Sequence, residues 1–248
     1  MEMSITIILL LFLFSTGASF VQRVSGFGFG IFIMTVLPYL LPSYGEATTL
    51  SGLLSLTQSL VIFITHYKYV NWKRLFPMLI TFLFVSFFAV RFVAKAADTH
   101  LKLLLGIILI AMSLYFLFFN GKLKIKPTMR LEISMGAVSG AMGGLFGMQG
   151  PPAVLFFLAS EKDKNHYLGM LQAYFLIGNA MMTLYRTRFG LFTESVAWGW
   201  LYAVAGIPLG GYIGKIVFDK LSGSTLRKII YVYMAISGLI AIISELSN

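Results

Sequence analysis

Two glycine-rich stretches contain the residue types and spacing that could do chemistry in this chain. The first, SGFGFG at 25–30, spaces three glycines two residues apart, and the second is FGMQGP at 146–151. A spacing of two makes no continuous stripe on a helix, so we predict a break in the helical backbone at the first stretch. At the second stretch, Pro151 directly follows Gly150 and is well placed as the first residue of a half-helix, so we predict a break there too. The first N–H groups of a helix lack intrahelical partners and lie at the positive end of its dipole. Breaks of this kind within apolar sequence predict an anion-binding site.

The deep polar side chains also suit an anion. All nine acidic residues lie at the ends of apolar runs or between them, whereas transporters of cations or protons commonly place a carboxylate at membrane depth. The deep groups are instead donors or amides, including Gln22, and we expect Phe27, Phe29 and Phe146 to line or gate the pocket. The candidate substrate-binding residues are Arg23, Gly26, Phe27, Gly28, Gly30, Phe146, Gly147, Gln149, Gly150, Pro151, Gln58, Gln172 and Asn179.

Several of these side chains have a simpler alternative role. Arg23 could extend its charge to the membrane surface, and Gln58, Gln172 and Asn179 could hydrogen-bond neighbouring helices. Six other glycines are spaced by four, which is typical of close helix packing within one chain or between copies of it. These are Gly136, Gly140, Gly144, Gly206, Gly210 and Gly214.

The composition indicates that lipid surrounds most of the protein. Of the 248 residues, 58% are hydrophobic and 11% are charged, against about 25% charged residues in a typical soluble domain. The net charge of +10 is concentrated in short loops, as in membrane proteins whose basic loops face the cytoplasm. We therefore predict a multi-pass protein of the cell membrane, with lipid and a small anion as partners and no nucleic acid.

The chain divides into apolar runs separated by short polar segments. Runs of about 20 residues are long enough to cross the hydrocarbon core of a bilayer. Three runs are shorter and adjoin the glycine-rich stretches, so each stretch and its short runs form a broken or re-entrant helix unit. The runs fall at about 4–24, 27–41, 46–66, 75–94, 101–119, 131–147, 151–160, 167–185, 195–214 and 226–244.

An internal duplication relates the two halves of the chain. FGFGIFIMTVLPYLLP aligns with FGMQGPPAVLFFLAS, and THLKLLLGIILIAM aligns with STLRKIIYVYMAIS. We predict a first repeat at 1–120, a basic polar linker at 121–130 and a second repeat at 131–248. Each repeat is an all-α unit with one broken segment and three transmembrane helices.

The loop charges favour inverted repeats. If the halves are parallel, the loop Lys and Arg residues divide equally between the two sides of the membrane. If each broken unit returns to its own side, thirteen lie on one side and five on the other, and the positive-inside rule favours that asymmetry. The basic side contains the loops near 66–74, 120–130, 160–166 and 214–228.

Enzyme classes lack their characteristic residues here. There is no cysteine, no H-E-x-x-H motif and no pair of deep carboxylates, so we expect neither an enzyme nor a metal site or cofactor. The alternatives to a secondary transporter are an anion channel and a membrane assembly subunit that transports nothing.

The paired signatures resemble a known family. VQRVSGFGFGIFIMTVLPYL and GAVSGAMGGLFGMQGPPAVLFFL each open one half, and together they resemble the sulfite exporter TauE/SafE family. The resemblance implies a permease, often an exporter, for small sulfur-containing anions such as sulfite and organosulfonates. It also implies a four-plus-four duplication of membrane segments. The substrate, on this expectation, binds at the half-helix ends near the middle of the bilayer.

Overall fold

The structure, a computed structural model, describes residues 3–119, 127–161, 163–220 and 223–246. These residues form helices joined by short turns. The linker predicted at 121–130 lies largely outside the described residues, and its role stays a prediction. The helices are α1 Ile5–Ser25, α2 Phe29–Ile33, α3 Leu37–Leu40, α4 Tyr44–His66, α5 Trp72–Val93, α6 Asp98–Phe119, α7 Met129–Phe146, α8 Gly150–Ser160, α9 Lys164–Arg188, α10 Glu194–Ala203, α11 Gly206–Lys220 and α12 Gly223–Leu246.

Five helical stretches of the described chain are long and apolar enough to cross a bilayer. They are Ile5–Val24, Tyr44–Tyr69, Trp72–Val93, Asp98–Phe118 and Glu194–Val217. Large apolar side chains such as Ile80, Phe84 and Leu184 are more than half exposed on the outside of the bundle, where only lipid would make their exposure favourable. The protein is therefore a multi-span membrane protein, as the composition predicts.

The backbone leaves the helical conformation at both glycine-rich stretches. α1 ends at Gly26 (φ 84°), whose N–H bonds to the Gln22 carbonyl at 2.8 Å, and Gly28 also has positive φ. α7 ends at Gly147 (φ 66°). Only glycine adopts these conformations without a steric penalty. Both breaks therefore lie in the glycine-rich stretches at which the sequence predicts them.

A third break divides the predicted 195–214 run and was not expected from the sequence. α10 ends before Val204 and α11 begins at Gly206, with Pro208 in the first turn of α11. A proline ring clashes with the carbonyl four residues earlier, which here belongs to Val204. The Val204 carbonyl instead accepts the Ile207 N–H at 3.1 Å, in a tighter turn.

Four helix pairs account for most of the packing, and each pair joins the first half of the chain to the second. α1 packs along α11, α4 along α9, α5 along α7, and α6 along α12. Both glycine stripes pack within the chain: Gly140 lies against the Phe82 carbonyl on α5, and Gly206 lies against the Phe12 carbonyl on α1. The glycines let these backbones approach closely, as their spacing by four predicts.

Contacts at the helix ends show where the short helices that follow each break, α3 and α8, come to an end. Arg74, at the start of α5, contacts the end of α8 through the Ser160 carbonyl at 3.4 Å and the Glu161 carboxylate at 3.3 Å. The other end of the bundle is where α5 ends and α6 begins. There the Lys102 ammonium lies 5.3 Å from the Tyr39 ring centroid in α3 and 3.7 Å from the Glu245 carboxylate. α3 and α8 thus end at different ends of the bundle.

The α1–α11 contact generates a matched stability test. A Cβ at Gly210 would overlap the Thr16 carbonyl, whereas one at the adjacent Gly211 would lie 3.6 Å from its nearest neighbour, the Ser19 hydroxyl. We expect Gly210→Ala to lower the free energy of unfolding by about 1–3 kcal/mol, because close helix packing cannot accommodate a methyl group. Gly211→Ala should leave it unchanged within about 0.5 kcal/mol. Thermal unfolding of both variants in detergent measures the difference, and equal melting temperatures would contradict this packing.

Candidate anion site

The two helix breaks contact each other at the centre of the bundle. A Cβ at Gly30, in the short helix α2, would overlap the carbonyl oxygen of Gly147. A Cβ at Gly147 would lie 3.2 Å from the Ser51 hydroxyl of α4. The two stretches are 117 residues apart in sequence, so the fold brings together the two features that the sequence singles out.

A cavity of about 30 Å³ lies between the breaks. This is room for about two water molecules. Six of the candidate residues line it, and three of them, Gly147, Gln149 and Gly150, come from the second break. The other three are Gly28, Gly30 and Asn179. None of the residues that line this cavity, all within the described chain, is Asp or Glu.

Serines of α4 form a wall of the cavity that sequence reasoning missed. Ser55 and Ser59 line it, and Ser51 lies one turn earlier beside Gly147. Their spacing of four places all three on one face of the helix. The spacing of these serines within the predicted 46–66 run was the sequence pattern that could have revealed this polar face. The lining also includes Gln22 and Phe29, which the sequence pattern indicates, and Met148, Phe175 and Ile31.

Several buried polar atoms around the cavity have no hydrogen-bond partner. They are Gln22 Nε2, Ser59 Oγ, Gln149 Oε1 and Asn179 Nδ2, and each of these residues is at most 6% exposed. An unsatisfied buried polar atom costs about 1–3 kcal/mol. Amides and hydroxyls can rotate to present N–H or O–H groups, so the cavity can supply several donors to one small guest.

The start of α8 faces the cavity and lacks the side-chain cap that several longer helices have. Side chains cap the first turns of α1, α4, α5, α7, α9 and α10, whereas α8 begins at Gly150 with no side-chain cap. Pro151 and Pro152 occupy its next two positions and have no N–H. The N–H groups of Gln149 and Gly150 are therefore the backbone donors at this helix start. The Ser139 hydroxyl donates to the Gln149 carbonyl at 2.6 Å and fixes the turn.

The remaining candidates lie outside the cavity. Arg23 and Gln58 line a separate groove of about 520 Å³ between α1, α4 and α11. Arg23 is exposed, its stem packs on Gly214, and Gln58 accepts a hydrogen bond from Ser19 at 2.9 Å. Gln58 thus hydrogen-bonds a neighbouring helix, and a binding role for either residue stays a prediction.

The other five candidates outside the cavity are buried or lie at a helix end. Phe27 stacks against Phe116 with ring centroids 5.0 Å apart, and Phe146 and Pro151 are buried. Gly26 ends α1 near the Tyr167 hydroxyl. Gln172 is fully buried, two turns before Asn179 on α9.

Arg186 is a buried arginine that lies just beyond the apolar run predicted at 167–185. We predicted that the 167–185 run ends just before Arg186, but α9 continues to Arg188, and Arg186 is 0% exposed. The sequence pattern that could have revealed Arg186 is a spacing of seven residues, which places Gln172, Asn179 and Arg186 on one face of a helix. In the described residues, no group of three or more metal-ligating side chains could hold a metal ion.

A pair of glycine variants tests the contact between the breaks. Gly30→Ala would place a methyl group on the Gly147 carbonyl, while a Cβ at Gly150 would lie 3.6 Å from its nearest atom, in Phe27. We expect Gly30→Ala to cost about 1–3 kcal/mol of stability and Gly150→Ala to cost less than about 1 kcal/mol. Thermal unfolding in detergent measures both. A Gly30→Ala variant as stable as the Gly150→Ala variant would mean that the breaks do not touch.

Comparison with known proteins assigns the chain to a family. The model of the family "Sulfite exporter TauE/SafE" matches residues 11–240, nearly the whole chain and both helix breaks. The chain is also 22% identical over 222 residues to the "Probable sulfite/organosulfonate exporter TauE" of Cupriavidus necator, with 86% of this chain and 85% of the relative covered. No solved structure matches it significantly. With the family match extending across both breaks, this chain belongs to the sulfite exporter TauE/SafE family of membrane transporters.

Proposed function

We propose that this protein is a secondary transporter that exports sulfite or small organosulfonates and binds the anion between its two helix breaks. The observation that carries the proposal is the central cavity, which offers amide, hydroxyl and backbone donors and is lined by no acidic residue. The family membership and the name of the Cupriavidus necator relative support the substrate class.

The donor set suits a sulfur oxyanion better than a cation. Sulfite and sulfonates present three oxygens that accept hydrogen bonds. Asn179, Ser59 and Gln22 surround the cavity with groups that can donate, and the N–H groups at the start of α8 add the positive end of a helix dipole. Hydrogen bonds to a charged group contribute about 1.5–3 kcal/mol each, so a few of them can hold an anion without a full countercharge.

The size of the cavity implies a closed state. The cavity has room for about two water molecules, less than an organosulfonate needs, so we propose that binding an organosulfonate moves α2 and α8 apart. These two helices are short and joined to their neighbours by glycine turns, whereas the long helices α4 and α9 pack along each other. Movement of the half-helices relative to the α4–α9 pair would open the site to one side of the membrane at a time.

We further propose that the halves are inverted repeats, each with a re-entrant break. The contacts of α8 with Arg74 and of α3 with Lys102 support this, because the two broken units return to opposite ends of the bundle. In this arrangement the loop near Arg74 faces the cytoplasm, as its basic charge favours, and the start of α4 faces the outside.

The transport prediction concerns one cavity amide. In proteoliposomes preloaded with sulfite, the wild type should take up radiolabelled sulfite with saturable kinetics. Asn179→Leu should lower kcat/KM about 10- to 100-fold, because it removes donors to a charged substrate. Thr183→Val is the matched control one turn away, since the Thr183 hydroxyl bonds to the Asn179 carbonyl at 2.8 Å and does not line the cavity. It should stay within about twofold of the wild type.

Three other results would contradict parts of this proposal. Flux that does not saturate with sulfite would indicate a channel. An absence of flux for sulfite and organosulfonates, in vesicles that contain folded protein, would favour an assembly subunit. Equal losses in the Asn179 and Thr183 variants would place the site away from the cavity.

A further inference from the structure

Arg186 is a fully buried arginine whose guanidinium is mostly unpartnered. Its Nη2 donates to the carbonyl of Gly143 at 3.0 Å, while Nε and Nη1 have no hydrogen-bond partner. Within the described ranges, no carboxylate forms an ion pair with it. Its charge is therefore compensated by a single backbone carbonyl.

The guanidinium lies next to the central cavity. A Cβ at Gly52, on α4, would be 2.6 Å from Nη1 of Arg186 and 3.9 Å from Oδ1 of Asn179. Side chains of a helix lean toward its N-terminus, so Arg186 extends back along α9 toward Asn179, which lines the cavity. The absence of a side chain at Gly52 leaves the space that Nη1 occupies.

Other donors without partners surround the same region. The hydroxyls of Tyr44 and Ser51 are buried and have no hydrogen-bond partner, and both residues are 0% exposed. Tyr44 lies two turns before Gly52 on the same helix. Tyr44 begins α4, so this group of residues lies between the cavity and the bundle end at which α4 starts.

A structural role as a helix cap does not account for this arrangement. The Gly143 carbonyl already accepts the N–H of Gly147 at 3.0 Å, so α7 ends with that group satisfied. Burying a guanidinium away from water costs more than one further hydrogen bond returns. An anion that occupies the free N–H groups would offset that cost.

We propose that Arg186 forms a second anion subsite between the central cavity and the membrane face at which α4 begins. This inference rests on the proposed function and extends it. With the basic loops in the cytoplasm, the subsite lies on the outer side, so an exported sulfite or sulfonate passes from the cavity amides to the Arg186 guanidinium before release. A fixed cation at this step attracts the anion outward, and Tyr44 and Ser51 supply further donors.

The test is sulfite-dependent thermal stability of the full-length protein in detergent. Arg186→Met removes the charge at similar volume, Arg186→Lys keeps it, and Arg188→Gln is the control because Arg188 is exposed on the same helix end. We expect the Met variant to bind sulfite at least tenfold more weakly and to melt, without sulfite, at the same or a higher temperature than the wild type. The Lys variant should keep part of the sulfite dependence, and the control should keep all of it.

Each other outcome has a definite meaning. A Met variant with the sulfite dependence of the wild type overturns the subsite, whatever its stability. If the Met variant melts lower and loses the dependence, the Lys variant decides: partial recovery supports the subsite, and none overturns it. A wild type that sulfite and organosulfonates do not stabilise contradicts the proposed function itself, and the subsite with it.

Discussion

The backbone contact between Gly30 and Gly147 is the constraint on which the rest of the structure depends. It is possible only because Gly30 has no Cβ, and it brings together two helix breaks that belong to different halves of the chain. With the breaks in contact, α8 starts at the centre of the bundle rather than at its surface, and the serine face of α4 closes the space around them. The cavity is a consequence of this contact.

The groups that stabilise the fold and the polar groups that would bind substrate lie in different parts of the bundle. At the bundle surface, side chains cap the long helices and apolar residues face lipid. At the centre, buried donors stay unsatisfied and one arginine has a single carbonyl partner. Such an interior lowers the stability of the empty protein, and it makes binding of an anion correspondingly favourable. The helix pairs α5–α7 and α6–α12, which pack apolar and glycine surfaces, stabilise the bundle around this interior.

The sequence was sufficient for the features that depend on local chemistry. Glycines spaced by two predicted the first break, and Pro151 after Gly150 predicted the second. Glycines spaced by four predicted close packing, and run lengths predicted most of the helices. It was not sufficient for features set by tertiary contact. The exposed Arg23 and the buried Arg186 both lie near the ends of apolar runs, and only packing against Gly214 or Gly52 distinguishes them. The serine face of α4 was visible as a spacing but had no meaning until the breaks were placed beside it.

The most direct test of the central claim is to locate a bound anion. Selenite has the shape and charge of sulfite, and selenium scatters anomalously, so crystals grown with selenite would show its position independently of the protein's sulfur atoms. The account predicts an anomalous peak between the breaks, within hydrogen-bond distance of Asn179 or of the start of α8. A peak confined to the groove beside Arg23, or none at a selenite concentration that stabilises the protein, would contradict it.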